Sequence, residues 1–97
     1  MKIGLLEQSL IKVDGNAEET LAESLRLAQI AEEMGYSRIW VSEHHDSEAI
    51  AGSSPEVLLA ALGAATKKIR LGSGGVMLPH YSPLKVAENF AVLSNLY

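Results

Sequence analysis

The chain has 97 residues, of which 47% are hydrophobic, and a formal net charge of −4. This length allows one domain or less, and an acidic balance without a cluster of basic residues argues against a nucleic-acid or acidic-membrane partner. There is no cysteine, which excludes disulfides and thiolate metal sites, and the first apolar run is far too short for a signal peptide or a membrane span, so we expect a cytoplasmic protein.

The first half of the chain predicts a strand, a helix and a second strand. Residues 2–6 form a short apolar run that is typical of a strand. Asn16, with Glu19 three residues later, resembles a capping box, and apolar residues follow at helical spacing. Gly35 stands where a glycine commonly ends a helix, because glycine adopts the left-handed conformation without steric cost. A second strand, rich in β-branched and aromatic residues, begins at Arg38.

The second half repeats this pattern. Ser54 is a good helix N-cap, and the proline that follows it suits the first helical position, so we predict a helix over residues 55–66. Residues 69–73 predict a third strand, which is followed by two glycines and a loop. Ser82 and its following proline repeat the helix-opening signature, and the last predicted helix covers residues 83–97.

The predicted strands start roughly 30 residues apart, which is close to one unit of an eight-fold βα barrel of roughly 250 residues. Right-handed crossovers would make neighbouring strands parallel. A doubly wound sheet gives the same local pattern, so the spacing alone does not choose between these two folds. The first strand is not followed by the G-x-G-x-x-G motif, which weakens the dinucleotide-binding alternative.

The second strand ends in three ionisable residues, Glu43, His44 and His45. Proteins of the α/β class place their chemistry at the carboxyl ends of parallel strands. Glu43 alone would only mark the strand leaving the core, but the three residues together predict a functional site. They are sequence neighbours on an extended segment without partners at ligand spacing, so we predict no metal site.

Four segments, in this order and spacing, carry a resemblance to a known family: Trp40–His45, Ser54–Val57, Leu71–Pro79 and Ser82–Glu88. Together they resemble the bacterial luciferase-like flavin monooxygenases. The match covers nearly all of this chain but only the first three or so units of that family's barrel. The resemblance therefore implies an α/β fold of parallel βα repeats, in which residues 1–97 form a truncated TIM (β/α)8 barrel, the N-terminal part of a longer protein.

The resemblance also implies an activity for the complete protein. Such enzymes take reduced FMN from a separate flavin reductase and use O2 to oxidise a small organic substrate. Deazaflavin (F420)-dependent oxidoreductases of the same superfamily are an alternative, because the family's phosphate-binding residues lie outside this chain. A third alternative is a truncated, non-catalytic protein that only binds or pairs. We expect the 97-residue chain alone to be inactive.

The family's catalytic histidine falls on His44, and Glu43 matches a site carboxylate that orients this histidine or borders the flavin. We predict that Gly74 and Gly75 bind the cofactor, because they match the segment that the family lays against the isoalloxazine ring. A plain turn is the alternative for this glycine pair. The family also implies a non-proline cis peptide there in the complete enzyme, less firmly in this shorter chain.

His45 and His80 are predicted to support the catalytic residues, and for His45 a direct role in the site is an equal alternative to a supporting or packing role. Luciferases have a histidine where this chain has Ser82, and here the histidine lies two residues earlier, at position 80. Aldehyde oxidation and light emission therefore do not follow from the resemblance.

The predicted helices 55–66 and 83–97 match helices that pack against a second subunit in the family. A three-stranded sheet cannot close a barrel, so the third strand leaves an unpaired edge and an uncovered apolar face. We therefore expect the chain either to form a homo-oligomer through these helices or to be ordered only as part of a larger assembly that completes the sheet.

Overall fold

The computed structural model describes all 97 residues as three successive βα units. The elements are β1 (Gly4–Glu7), α1 (Ala17–Glu33), β2 (Arg38–Val41), α2 (Pro55–Ala65), β3 (Arg70–Ser73), a short 3-10 helix (Leu78–His80) and α3 (Pro83–Leu96). All three predicted strands and all three predicted helices are present, with ends that differ from the prediction by a few residues at most. No helix has both the length and the apolar character needed to cross a membrane.

Two of these three predicted helix ends have the expected local cause, whereas the side-chain cap expected from Ser54 is absent. The side chain of Asn16 accepts a hydrogen bond from the Glu19 amide, at 2.8 Å. Gly35 has a φ of +84°, in the left-handed region that favours glycine. Ser54 makes no side-chain cap, so α2 begins at Pro55 because the proline ring fixes a helical φ.

The three strands form one parallel sheet in the order β1-β2-β3. On one face of the sheet, Leu5, Ile39 and Leu71 lie side by side and pack against the helices. On the opposite face, Trp40 lies between Leu6 of β1 and Gly72 of β3. Both outer strands have an unpaired edge, and the sequence predicted the one on β3.

The core lies between the sheet and the helices. It consists of eight buried hydrophobic residues, namely Ala28, Ala31, Ile39, Val41, Leu58, Leu59, Leu62 and Ile69. Both core residues that α1 contributes, Ala28 and Ala31, are small, so this helix can approach the rest of the core closely. Burial of these side chains holds the helices against one face of the sheet.

A single carboxylate joins the end of α1 to the start of β3. The Glu32 side chain accepts hydrogen bonds from three successive backbone amides, those of Lys67, Lys68 and Ile69. Hydrogen bonds from the amides of Lys68, Ile69 and Lys67 hold the pKa of Glu32 below its ordinary value. These bonds favour the charged carboxylate and so couple the ionisation of Glu32 to folding.

We expect Glu32→Gln to lower the melting temperature at neutral pH, because a neutral amide accepts these bonds less strongly. A lowered carboxyl pKa contributes stability above the unfolded-state pKa of about 4.5, and this contribution is lost as the pH falls through the lowered value. The difference between the two proteins should therefore shrink in acid. Thermal unfolding followed by circular dichroism across pH measures it. The control is Glu33→Gln, at an exposed neighbour, and an equal loss there would contradict the assignment.

Candidate active site

Three loops meet at the carboxyl end of the sheet. The β1–α1 loop pairs with the β2–α2 loop, since the amide of Ile11 donates to Ala49 O at 2.8 Å and the amide of Ala51 donates to Ser9 O at 2.9 Å. The amide of His44 donates to Gly52 O at 3.0 Å. These bonds hold the segment after β2 against the end of its own strand and give the predicted site residues a fixed backbone.

Glu43 is a buried carboxylate, with its side chain only 1% exposed. Its Oε2 atom lies 2.6 Å from His45 Nε2 and accepts a hydrogen bond from the Tyr81 hydroxyl at 2.9 Å. Its other oxygen, Oε1, is buried without a partner in the chain. An ionised carboxylate only accepts hydrogen bonds, so we assign the proton of a neutral His45 to Nε2.

The site shifts the ionisation of two of these side chains. Burial opposes the charged form of Glu43, but hydrogen bonds from His45 and Tyr81, with the Met77 amide, outweigh burial and lower the pKa of Glu43. The pKa of Tyr81 is raised, chiefly because its hydroxyl donates to Glu43 and because a phenolate would be repelled by that carboxylate. At neutral pH the site therefore holds a buried anion between two donors.

His80 completes this group. Its ring lies 5.4 Å from that of His45, centroid to centroid, in an edge-to-face arrangement. We call Glu43, His45, His80 and Tyr81 the Glu43 cluster. The sequence predicted three of its members and missed Tyr81. The one signal for Tyr81 was the presence of a tyrosine in the loop that follows β3.

His44 stands apart from the Glu43 cluster. Burial alternates along this stretch, with Val41 and Glu43 buried and Ser42 and His44 partly exposed. Successive residues of an extended segment point to opposite sides, so His44 follows the side of Trp40 and Ser42. Its side chain makes no hydrogen bond within the chain. Glu43 therefore contacts His45 in this chain, and no hydrogen bond joins it to the His44 side chain.

Gly74 and Gly75 lie at the carboxyl end of β3, beside the end of β2. The amide of Gly74 donates to Val41 O at 2.7 Å, which extends the ladder between the two strands. A Cβ atom on Gly75 would meet no atom of the chain within 4 Å. Every peptide bond is trans, so the expected cis bond is absent from this chain.

The family model described as luciferase-like monooxygenase matches residues 1–97. The chain belongs to this family. It is 57% identical over 96 residues to N-acetyl-S-alkylcysteine monooxygenase of Bacillus subtilis, a match that covers 99% of this chain and 29% of that protein. The luciferase-like monooxygenase of Escherichia coli K12 is 46% identical over 93 residues, which cover 96% of this chain and 28% of the relative.

Solved structures of similar proteins agree in fold. The crystal structure of apo-MsnO8 matches this chain with a TM-score of 0.96 and 45% identity. The match covers 99% of this chain and 29% of the MsnO8 chain. The oxygenating constituent of 3,6-diketocamphane monooxygenase from Pseudomonas putida, in complex with FMN, has a TM-score of 0.90 at 28% identity. An F420-dependent secondary alcohol dehydrogenase has a TM-score of 0.77 at 26% identity. These two likewise cover 99% of this chain, which spans 26% and 28% of their lengths.

These matches confirm the predicted family and the predicted α/β fold of parallel βα repeats as part of a TIM barrel. The chain spans about 29% of the length of the curated relatives it matches. The roles of Glu43, His44, His45, Gly74, Gly75 and His80 stay predictions.

We expect Glu43→Gln to lower the pKa of Tyr81 towards the ordinary phenol value. A neutral amide binds the hydroxyl less strongly than a carboxylate and does not repel the phenolate. The measurement is an alkaline titration of the Tyr81 phenol, followed by NMR of ring-labelled tyrosine. Glu48→Gln, at an exposed position of the same loop, is the matched control. A Tyr81 titration that is the same in both variants would refute the ionic contact.

Proposed function

We propose that a complete protein carrying this chain is an FMN-dependent monooxygenase that uses reduced flavin and O2 to oxidise a small organic substrate. Residues 1–97 then form the N-terminal part of its TIM-barrel domain, and a separate flavin reductase supplies the reduced cofactor. One observation carries the proposal. Glu43, His44 and His45 follow the central strand β2, at the edge of the sheet where Gly74 and Gly75 follow β3, in a chain that belongs to a monooxygenase family.

The residues at this edge fit a flavin. The backbone at Gly75 carries no side chain, and a Cβ there would meet no chain atom within 4 Å, so a flat ring can approach it. Two buried polar atoms, Ser42 Oγ and Glu43 Oε1, have no partner within the chain and remain available to a ligand or to another part of the barrel. Reduced FMN, when bound, supplies the electrons that activate O2.

The two histidines differ in what they can do for such a reaction. The His44 imidazole is partly exposed and makes no hydrogen bond within the chain, so both of its nitrogens are free to exchange a proton with a substrate. The His45 imidazole is held by Glu43 through Nε2 and has only Nδ1 free. We assign proton transfer to His44 and keep Glu43 beside the cofactor.

An F420-dependent oxidoreductase is the second candidate, since a structure of that class shares the fold. FMN is favoured because the FMN-containing structure is the more similar of the two, with a TM-score of 0.90 against 0.77. The monooxygenase name of the 57% identical relative favours FMN as well. A non-catalytic, pairing protein is the third candidate.

A chimera separates these candidates. In it, this chain replaces the matching segment of the Bacillus subtilis N-acetyl-S-alkylcysteine monooxygenase, to which it is 57% identical. We expect the chimera to consume O2 and oxidise an N-acetyl-S-alkylcysteine when reduced FMN is supplied, and to be inactive with reduced F420. A folded chimera that binds FMN but never oxidises substrate would refute the monooxygenase proposal. Turnover with F420 alone would favour the second candidate.

In this chimera, His44→Ala should lower kcat by about 10²–10⁴-fold, the usual contribution of a general acid or base. FMN affinity should change little, because the imidazole is expected to act on the proton and not to anchor the cofactor. The kcat is measured as turnover at saturating substrate, and the FMN affinity is measured by fluorescence. Glu48→Gln is a control at the surface of the same loop. An unchanged kcat would remove His44 from the mechanism.

We also propose that the chain forms a homo-oligomer through α2 and α3. Several large apolar side chains of these helices are exposed, among them Val57 at 66%, Leu84 at 69% and Val92 at 59%. No other part of the chain covers these side chains. Pairing with a second copy would bury both helices.

Light scattering of the purified 97-residue chain tests this association. We expect a mass of at least a dimer, reduced by Val92→Asp because a charge on α3 cannot be buried at low cost. Val13→Asp, on an exposed loop away from both helices, should leave the mass unchanged. A stable, dilute monomer would disprove the association, and turnover by that monomer would overturn the expectation that the chain alone is inactive.

A further inference from the structure

We propose that Tyr81 is a positioning residue of this site, because its hydroxyl and the His45 ring bind the same buried oxygen of Glu43 and so hold the His45 imidazole in one orientation. The catalytic readout of this inference rests on the proposed monooxygenase function. Its structural readout does not, since the contacts lie within the chain itself.

The three polar atoms form a closed triangle. Glu43 Oε2 lies 2.6 Å from His45 Nε2 and 2.9 Å from the Tyr81 hydroxyl, and the hydroxyl lies 3.3 Å from His45 Nε2. The Glu43 side chain is 1% exposed and that of His45 is 37% exposed. The carboxylate is thus the buried base of the triangle, and the imidazole is the member that reaches solvent.

A buried carboxylate stays charged only when donors compensate for the lost water. Glu43 Oε1 has no partner in the chain, so the two side-chain donors on Oε2, with the Met77 amide, compensate for the burial of the charge. Removing the Tyr81 hydroxyl leaves the imidazole as the single side-chain donor. Protonation of Glu43 then becomes easier, and a protonated carboxyl no longer requires His45 to present an N–H at Nε2.

Every charged or titratable group near this carboxylate belongs to one of three segments. His45 follows β2, whereas His80 and Tyr81 lie in the loop between β3 and α3. Glu56, in the first turn of α2, adds a weak negative field at Tyr81. None of these groups offers a second hydroxyl or ammonium donor to replace the Tyr81 bond.

The same bond joins two parts of the site. Tyr81 lies on the segment that begins with Gly74 and Gly75, and Glu43 lies at the end of β2. The 2.9 Å contact therefore fixes the loop that leads from the glycine pair relative to the strand that carries the histidines. The triangle sets both the direction of the His45 ring and the position of this loop.

The test is Tyr81→Phe in the chimera, which keeps the ring and removes the hydroxyl. We expect the pKa of Glu43 to rise by about one unit, the size of one hydrogen bond to a charged group. The acid limb of the pH–rate profile should move up by the same amount, so that turnover on that limb falls about tenfold. Tyr97→Phe is the matched control, since its hydroxyl bonds Ala60 O on α2, away from this triangle.

A second readout needs no activity. The ring nitrogens of His45, identified by the signals that His45→Asn removes, report the ionisation of Glu43 in an NMR pH titration. Tyr81→Phe should raise that midpoint, and Tyr97→Phe should not. No shift in the NMR midpoint with Tyr81→Phe, or an equal shift with Tyr97→Phe, overturns the proposal. A shifted midpoint in a chimera without turnover supports the positioning role and refutes the proposed function.

A third variant provides the test in the event that the Tyr81→Phe protein does not fold. Incorporating 3-fluorotyrosine at position 81 preserves the shape and makes the phenol a stronger donor, so the Glu43 midpoint should fall. A midpoint that stays in place with 3-fluorotyrosine would also overturn the proposal.

Discussion

The parallel pairing of β2 with a strand on each side is the constraint on which this structure depends. Because all three strands run the same way, their carboxyl ends lie at one edge, and the loops that follow them are forced together. Ile39 and Val41 are fully buried against the helices, so β2 cannot shift by one residue without moving its apolar side chains to the open face. The position of Glu43, His44 and His45 follows from that register.

Local signals were sufficient to predict the elements from the sequence. Asn16, Gly35 and Pro55 each act within a few residues, through a cap, a left-handed backbone and a fixed φ, and each marks a helix end in the structure. The glycine pair and the Glu-His-His run were recognisable for the same reason, since each is a short contiguous pattern. The spacing alone did not choose a barrel over a doubly wound sheet, and the resemblance was needed for that choice.

The contacts that organise the site could not be predicted because they join distant parts of the chain. Glu43 and Tyr81 are 38 residues apart, and Glu32 holds amides 35 to 37 residues away. Both carboxylates have a lowered pKa, but their hydrogen-bond partners differ. Glu32 receives only backbone amides and joins two elements, whereas Glu43 is buried and receives titratable side chains. The neighbours, and not the pKa shift itself, distinguish a site from a structural contact.

The open face of the sheet shows how this fold accommodates its single tryptophan. A Cβ on Gly72 would lie 2.7 Å from the Trp40 ring, and one on Gly4 would lie 3.5 Å from its Nε1. The indole thus occupies the space that a side chain at Gly72 would fill, while a Cβ on Gly4 would only touch it, and Arg38 lies over the indole at 4.7 Å. Barrel interiors are packed in this way, with large and small residues meeting across adjacent strands. The alternation that places Trp40 on this face also places His44 there. The histidine expected to transfer protons therefore lies on the same face as the Trp40 ring, nearer the carboxyl ends of the strands.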